Sequence, residues 1–497
     1  MPKTALKTTT AAITCLLLSG CAAGAGLLGG GGDYDINQVP EPISAEDRAQ
    51  GAEYHPKLLA EFGGEYTGPG GAYVERVGKN IAAQSGLANG RDAYTVTLLN
   101  SSINNAFAIP GGYVYTTRQL VALMDNEAEL AGVLGHEVGH VAARHAERRQ
   151  AEAQRNSIGG TILAVLSSVF LGGSGLGDTL ARGFLQGSQL LTLSYSRGQE
   201  LEADKLGALY LNRAGYDERA MATVLSSLAA QNALDARMMG RGETRVPEWA
   251  STHPDPASRV QEALAEAQKY DVGGITARDQ FLTNIDGMLY GDDPRQGIVE
   301  NGTFIHPDLK LAFRAPQGFY LVNGTRAVSI GGQSGQGQFT MAPYNGDLDR
   351  YVRSVFAGLS DQQQIQPSSV QRTTVNGIPA AYGVARVNTG NGQVDATVFA
   401  YEFSNGQAFH FLTVTQAGNA GVFNSMYESM RRISDSEAAN VRPRKVDIYT
   451  VRSGDTVRSI ASRMSYSNYQ LERFLVLNDL EANANLRAGD KVKLVTY

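Results

Sequence analysis

Hydrophobic spacing divides the chain into three textures. From about 51 to 269, apolar residues recur every three to four positions, the period of helices with a buried face. An extended patch interrupts that region at 94–99 and 106–115. From about 302 to 415 the period falls to two and β-formers alternate. Asn323-Gly324, Asn376-Gly377 and Asn405-Gly406 punctuate this stretch as hairpin turns. Helical spacing returns at 348–359 and 419–433. From 449 to 495 the order reads strand, two short helices, strand, with Asn478-Asp479-Leu480 as a turn.

The pattern predicts a multidomain chain. A mainly α domain with a small sheet comes first, then an α+β domain, then a small βααβ unit. The expected boundaries are 1–20 for a leader, 21–50 for a flexible tether, 51–270 for the first domain and 271–301 for a connector. An α+β accessory domain at 302–438, a linker at 439–447 and the last unit at 448–497 complete the chain. The most apolar internal run, 158–173, is sixteen residues broken by Gly and Ser. That is short of the ~20 needed to span a bilayer, so it reads as a buried or lid-like helix.

Composition narrows the chemistry. At 497 residues the chain is too long for one ordinary core. Acids outnumber bases 49 to 43, for a net charge of −6, which argues against a general nucleic-acid binder. The two cysteines, Cys15 and Cys21, leave no disulfide framework, CxxC pair or iron–sulfur site. A metal would have to be held by carboxylates and by some of seven histidines.

The first residues read as an address. Lys3 and Lys7 precede a short apolar run, 11–18, and then Leu18-Ser19-Gly20-Cys21. This order resembles the lipobox of bacterial lipoproteins. The resemblance implies cleavage before Cys21, lipidation of its thiol and, with Ala at 22, the outer membrane as destination. Gly24-x-Gly26-x-x-Gly29 matches a dinucleotide fingerprint in spelling only, since no strand precedes it, and reads as tether.

The strongest motif is His136-Glu137-Val138-Gly139-His140. Asn126 with Glu129 forms a helix start, and Leu130, Val133, Leu134, Val138 and Val141 follow at helical spacing. Residues four apart share a helix face, so both imidazoles can grip one Zn²⁺ while Glu137 takes a proton from its water. His145 falls roughly opposite His136 on a continuous helix and reads as a surface or capping residue. A downstream carboxylate is expected to complete the site. Glu200 and Asp204 share a face of a second helix, and Glu202 points away from both. That face offers one metal ligand and one carboxylate to hold a ligand imidazole.

Residues 103–112, the HExxH motif, Ser196-Arg197-x-x-Glu200-x-Glu202-Ala203-Asp204, and Thr252-His253-Pro254 with Arg259 follow in order. Together they resemble the HtpX-like, CAAX-prenyl-endopeptidase family of zinc metallopeptidases, in its periplasmic BepA-like branch. The resemblance covers about 51–269. It implies His136, His140 and Glu200 as ligands of one zinc ion, Glu137 as catalytic base and Asp204 as the second acid. It also places His253 and Arg259 near the metal. There His253 or Arg259 would stabilise the oxyanion, or His253 would occupy the open metal position at rest. Segment 106–115 is expected to supply an edge strand to which extended substrate adds.

The tail resembles a LysM domain. That implies binding of N-acetylglucosamine-containing glycan, with Gly454, Asp455, Thr456, Asn478 and Leu480 in the groove. The middle domain shows no catalytic constellation and is similar to PsbP-like α+β folds; His306 and His410 read as structural. The leading expectation is a lipid-anchored periplasmic zinc endopeptidase. Its partners would be misassembled or unfolded envelope polypeptides, peptidoglycan and the outer membrane. A peptidoglycan hydrolase is the first alternative, although LytM-type enzymes use an HxH pair and this chain has none. A non-catalytic chaperone or adaptor on the same scaffold is the second.

Overall fold

The computed structural model describes residues 40–88, 90–149, 195–238, 253, 256–270, 273–359, 364–389 and 392–497. The leader with Cys21, the glycine run after it and the apolar run 158–173 lie outside the described residues. Among the described residues, no helix is long and apolar enough to cross a membrane.

The first region is built around a helix that is buried almost all round. Helices α1 (Ala45–Glu61) and α2 (Gly71–Ala82) precede strands β1 (Thr95–Leu99), β2 (Ala106–Ile109) and β3 (Tyr113–Thr117). The short helix α3 (Arg118–Leu123) leads into α4 (Glu127–Ala142). Asn126 caps α4 by accepting from Glu129 N, as the sequence predicts. Fifteen of its residues are buried, so the expected one-sided pattern is in fact a central helix. Against it pack α5 (Arg197–Ala214), which opens on a Ser196/Gln199 capping box, and α6 (Ala220–Met238), while α7 (Pro256–Ala267) packs on α5 and α6.

The small sheet has the order β1-β3-β2, with β1 parallel and β2 antiparallel to β3. Segment 106–115 therefore splits at Pro110-Gly111-Gly112, and β2 alone occupies the edge. Helix α1 lies close against that turn. A Cβ on Gly51 would sit 2.3 Å from the Pro110 carbonyl oxygen, so only glycine fits. The expected tether is shorter than the sequence suggests, since α1 begins at Ala45.

The expected connector is structured as well. It holds α8 (Arg278–Ile285), β4 (Leu289–Tyr290) and β5 (Ile298–Glu300). Strand β5 joins β6 (Thr303–His306), β7 (Leu311–Arg314) and β15 (Arg431–Arg432) in a four-stranded sheet. A seven-stranded antiparallel sheet has the order β11-β12-β13-β14-β10-β9-β8. Its members are β8 (Phe319–Asn323), β9 (Val328–Gly332), β10 (Gly335–Met341), β11 (Val370–Val375), β12 (Ile378–Thr389), β13 (Gly392–Ser404) and β14 (Gln407–Gln416).

One face of the large sheet packs on the four-stranded sheet through Phe304, Phe313, Phe339 and Phe411. The other is covered by α9 (Leu348–Ala357) through Tyr351, Val352 and Phe356. The Asn376-Gly377 and Asn405-Gly406 turns lie where predicted, whereas Asn323 ends β8 and pairs with Val328, so that Gly324 opens a longer loop. Asn376 and Gly377 both take positive φ, the type I′ combination. The helix expected over 419–433 ends early, as α10 (Asn424–Ser429), because Arg431 and Arg432 pair with β7 instead.

The tail runs β16 (Arg444–Thr450), α11 (Val457–Ala461), α12 (Gln470–Leu477), β17 (Lys491–Thr496). It is no bead on a linker. Strand β16 starts inside the expected linker and pairs with β4 of the connector. Lys493, fully buried, donates to the carbonyls of Ala122, Leu123 and Met124 and lies 3.4 Å from Asp125, just before α4. Burial lowers its pKa, so these carbonyls and the aspartate are what hold the cation.

Candidate metal centre

Glycines bring two helices together at the site. Gly207 of α5 faces α4 so closely that a Cβ on it would lie 3.3 Å from His136 N. Gly135 and Gly139 leave similar room from the other side. At this separation Glu200 and Asp204 reach the histidines of α4. His136 Nε2 and His140 Nε2 are 3.0 Å apart, and each lies 3.6 Å from a Glu200 oxygen. A tetrahedral zinc ion with bonds near 2.1 Å has ligand atoms about 3.4 Å apart, so these spacings suit one ion. His253 Nδ1 joins the set at 3.1 Å from Glu200 Oε1 and 3.3 Å from His136 Nε2. Ligand atoms of His136, His140, Glu200 and His253 all lie within 4.8 Å of one another.

The surrounding hydrogen bonds decide which atoms face inward. His136 Nδ1 lies 2.9 Å from Asp204 Oδ1, so the carboxylate accepts and Nδ1 carries the proton. Arg259 holds Asp204 from two nitrogens, at 2.8 and 2.5 Å, and donates to Glu200 Oε2 at 2.5 Å. Burial opposes the Asp204 charge, but Arg259 and His136 more than offset it and hold the carboxyl at about 2. Glu200 is also held below the ordinary range: burial opposes its charge, and His253, His136 and Arg259 outweigh it. With its Nδ1 bonded outward to Asp204, His136 turns Nε2 toward His140 Nε2 and the Glu200 carboxylate. An assembly of acceptors at that range needs a cation, so the residues fit zinc.

Glu137 is 1% exposed, and neither of its oxygens has a hydrogen-bond partner among the described residues. Burial raises its pKa, although His253 and His136 oppose the rise. His253 Nε2 lies 3.5 Å from Glu137 Oε1. On His253 itself burial works against the charge, but Glu200 and Glu137 outweigh it and raise its pKa.

All seven site residues read from the sequence (His136, Glu137, His140, Glu200, Asp204, His253 and Arg259) converge in one buried cluster. Arg259 differs from expectation in its aim. Its Nε, Nη1 and Nη2 are bonded to carboxylates, which makes it a clamp on acids rather than a donor poised for an oxyanion.

Two residues escaped the sequence reading. Tyr195 stacks on the His140 ring at 3.9 Å between centroids. It directly precedes the Ser196 N-cap, a position where apolar residues often pack against their helix, and that is the signal that could have found it. His145 is fully buried, not a surface residue. The helix arithmetic fails because α4 ends at Ala142 and Arg144 takes a left-handed φ of 54°. That turn swings His145 back onto His140. Glu202 does leave the Glu200/Asp204 face, as expected, and spends its own face on His145 and Arg148.

A cleft beside the site is lined by Ile43, Ala108, Ile109, Pro110, Val141 and Tyr195, so the edge strand β2 borders it. In the tail, Gly454 and Thr456 are exposed. Asp455 is braced by Tyr449, Arg452 and Arg463, and Leu480 packs partly against the tail core. Asn478 departs from its expected place in a glycan groove. It is buried, and its amide bonds Phe474 O and both backbone groups of Lys493, so it is committed to the fold.

Residues 71–267 match the model of peptidase family M48, and residues 449–495 match the LysM domain. The chain thus carries an M48 peptidase region and a LysM domain, with a sheet-rich region between them. A beta-barrel assembly-enhancing protease from Yersinia pestis is 36% identical over 230 residues, 44% of this chain and 44% of that protein. The protein of that name from Escherichia coli strain K12 is 34% identical over 215 residues, 42% of this chain and 41% of its own length. The shared stretch therefore spans less than half the length of these relatives. The mitochondrial metalloendopeptidase OMA1 of Arabidopsis thaliana is 28% identical over 268 residues, 53% of this chain and 49% of that protein. The solution structure of PsbP from Synechocystis is 10% identical over 26% of this chain and 91% of that chain. Its TM-score of 0.22 is too low to carry an argument about fold.

Proposed function

We propose that the protein is a zinc-dependent endopeptidase of the bacterial envelope. It is lipid-anchored at Cys21, held at the outer membrane, and cuts unfolded or misassembled envelope polypeptides. The observation that carries this reading is the convergence of His136, His140 and Glu200 on one point beside the buried carboxylate of Glu137, which has no hydrogen-bond partner among the described residues. Zinc held there would acidify a water and polarise a peptide carbonyl.

The chain's own residues do the rest. Glu137, with its proton affinity raised by burial, accepts a proton from the attacking water and returns it to the leaving amine. Asp204 fixes His136 through Nδ1, and Arg259 holds Asp204 and Glu200 in place. Strand β2, at an edge of its sheet among the described residues, pairs with an extended substrate, which favours unfolded chains because only those can add a strand. His253, whose Nδ1 lies among the ligand atoms of His136, His140 and Glu200, would hold the ion together with them in the absence of substrate. The LysM domain adds contact with peptidoglycan, through the surface that carries Gly454 and Thr456.

The test is digestion of casein or an unfolded outer-membrane protein by the full chain, with and without a chelator, beside Glu137→Gln. Cleavage is expected only from the unchelated native chain. Activity unchanged in both comparisons would remove the peptidase reading. Muropeptide release from purified sacculi would replace it with a wall hydrolase.

A further inference from the structure

The site contains a second chain of polar groups that the mechanism above does not use. His140 Nδ1 lies 2.8 Å from His145 Nδ1, and His145 Nε2 lies 3.0 Å from Glu202 Oε2. All three residues sit deep in the first region; His145 is 0% and Glu202 9% exposed. Arg148 donates to the same Glu202 oxygen at 3.0 Å, and Gln199 donates to the His145 carbonyl at 3.2 Å.

The protons on this line are determined by the partners. A carboxylate only accepts, so His145 Nε2 carries a hydrogen. A neutral His145 then has a bare Nδ1, which must accept from His140. His140 therefore carries its proton on Nδ1 and turns a bare Nε2 toward His136 and Glu200, as a metal ligand must. Reversing any link would put two N–H groups face to face or leave a proton on the ligating nitrogen.

We infer that His145 and Glu202 are positioning residues that fix the tautomer and ring orientation of the metal ligand His140, as Asp204 does for His136. The inference rests on reading the site as a zinc centre. The two ligand imidazoles are then held differently, one by a carboxylate directly and one through a second imidazole. The positive φ of Arg144 is what allows it, since a continuous helix would carry His145 away. Tyr195, stacked on the His140 ring, holds the same ring from its face.

Zinc affinity of the full chain, measured by competition with a chromogenic chelator, tests this. Outer partners of ligand histidines are worth about 10–100-fold in metal affinity. His145→Leu, which offers no acceptor, should weaken zinc binding by that factor. His145→Asn, whose amide oxygen can accept from His140, should recover part of the loss. Glu202→Gln keeps the shape and supplies the milder variant if His145→Leu does not fold; it should weaken zinc binding several-fold. Melting temperatures of the metal-free variants should stay near that of the native chain, which separates positioning from folding.

Zinc affinity within twofold of native in folded His145→Leu, or in folded Glu202→Gln where His145→Leu does not fold, would overturn the inference. A native chain that binds no zinc would instead overturn the reading of the site itself.

Discussion

Two buried histidines show how differently this molecule uses the same side chain. His410 lies on β14 in the sheet-rich region, 3% exposed, among aromatic and aliphatic residues, with Tyr351 OH at 2.9 Å as its side-chain partner. Burial alone pushes its pKa down to about 4. His140 is as deeply buried, yet Glu200, two further histidines and a tyrosine ring surround it. Its pKa also falls, first from burial and then from neighbouring His136 and His145. Burying charge is costly, and the sheet-rich core avoids it by choosing phenylalanine. The first region accumulates it, with Glu137, Glu200, Asp204 and Arg259 at one point. Such a concentration of buried ionisable groups signals chemistry, while a lone neutral histidine signals packing.

Predictions follow from this contrast, the largest first. Glu137→Gln should lower peptide cleavage by about 10²–10⁴-fold while leaving the melting temperature equal or higher, because a buried carboxylate with no hydrogen-bond partner among the described residues is removed. A lower melting temperature would show that Glu137 supports the fold. Lys493→Met strips the cation from Asp125 and from three carbonyls at the seam with α4. It should cost about 3–5 kcal/mol in chemical unfolding, the cost of breaking a buried pair. An unchanged midpoint would show that the LysM domain is not part of the same structural unit.

The apolar side of the comparison breaks through pH. The folded pKa of His410 lies at about 4, below its unfolded value near 6.5, so the unfolded state binds more protons between those values. The stability tied to its neutral form is fully present above pH 6.5 and declines as pH falls toward 4. At pH 4.5 the loss is about 2–3 kcal/mol. His410→Gln should flatten that part of the stability–pH curve without altering zinc content. Gly207→Ala should do the reverse. Its Cβ would press on the backbone of α4, lowering zinc affinity and costing about 1–3 kcal/mol. Gly377→Ala, at a φ of +77° in an open turn, should cost about 1 kcal/mol and leave the site untouched.

What the sequence makes legible is local. The four-residue spacing of His136 and His140, the Asn126 cap, the shared face of Glu200 and Asp204, and the Asn-Gly hairpins all depend on short-range geometry. The convergence of α4, α5 and His253 is legible only because several motifs occur together in order. The rest depends on contacts between distant segments. Nothing near Lys493 in the chain announces that it will bury itself beside Asp125. Nothing in Val141-Ala142-Ala143-Arg144 marks a break, since no Gly or Pro stands there, so His145 reads as exposed. The helix pattern of 419–433 loses its last turn to a two-residue pairing with β7 that no local period encodes.

The most direct measurement takes the purified chain, its Glu137→Gln variant and its His136→Ala variant, and determines zinc per chain beside cleavage of an unfolded envelope protein. The account predicts one zinc per chain with cleavage for the native protein, one zinc without cleavage for Glu137→Gln, and neither for His136→Ala. Cleavage that persists in His136→Ala after its zinc is lost would contradict it.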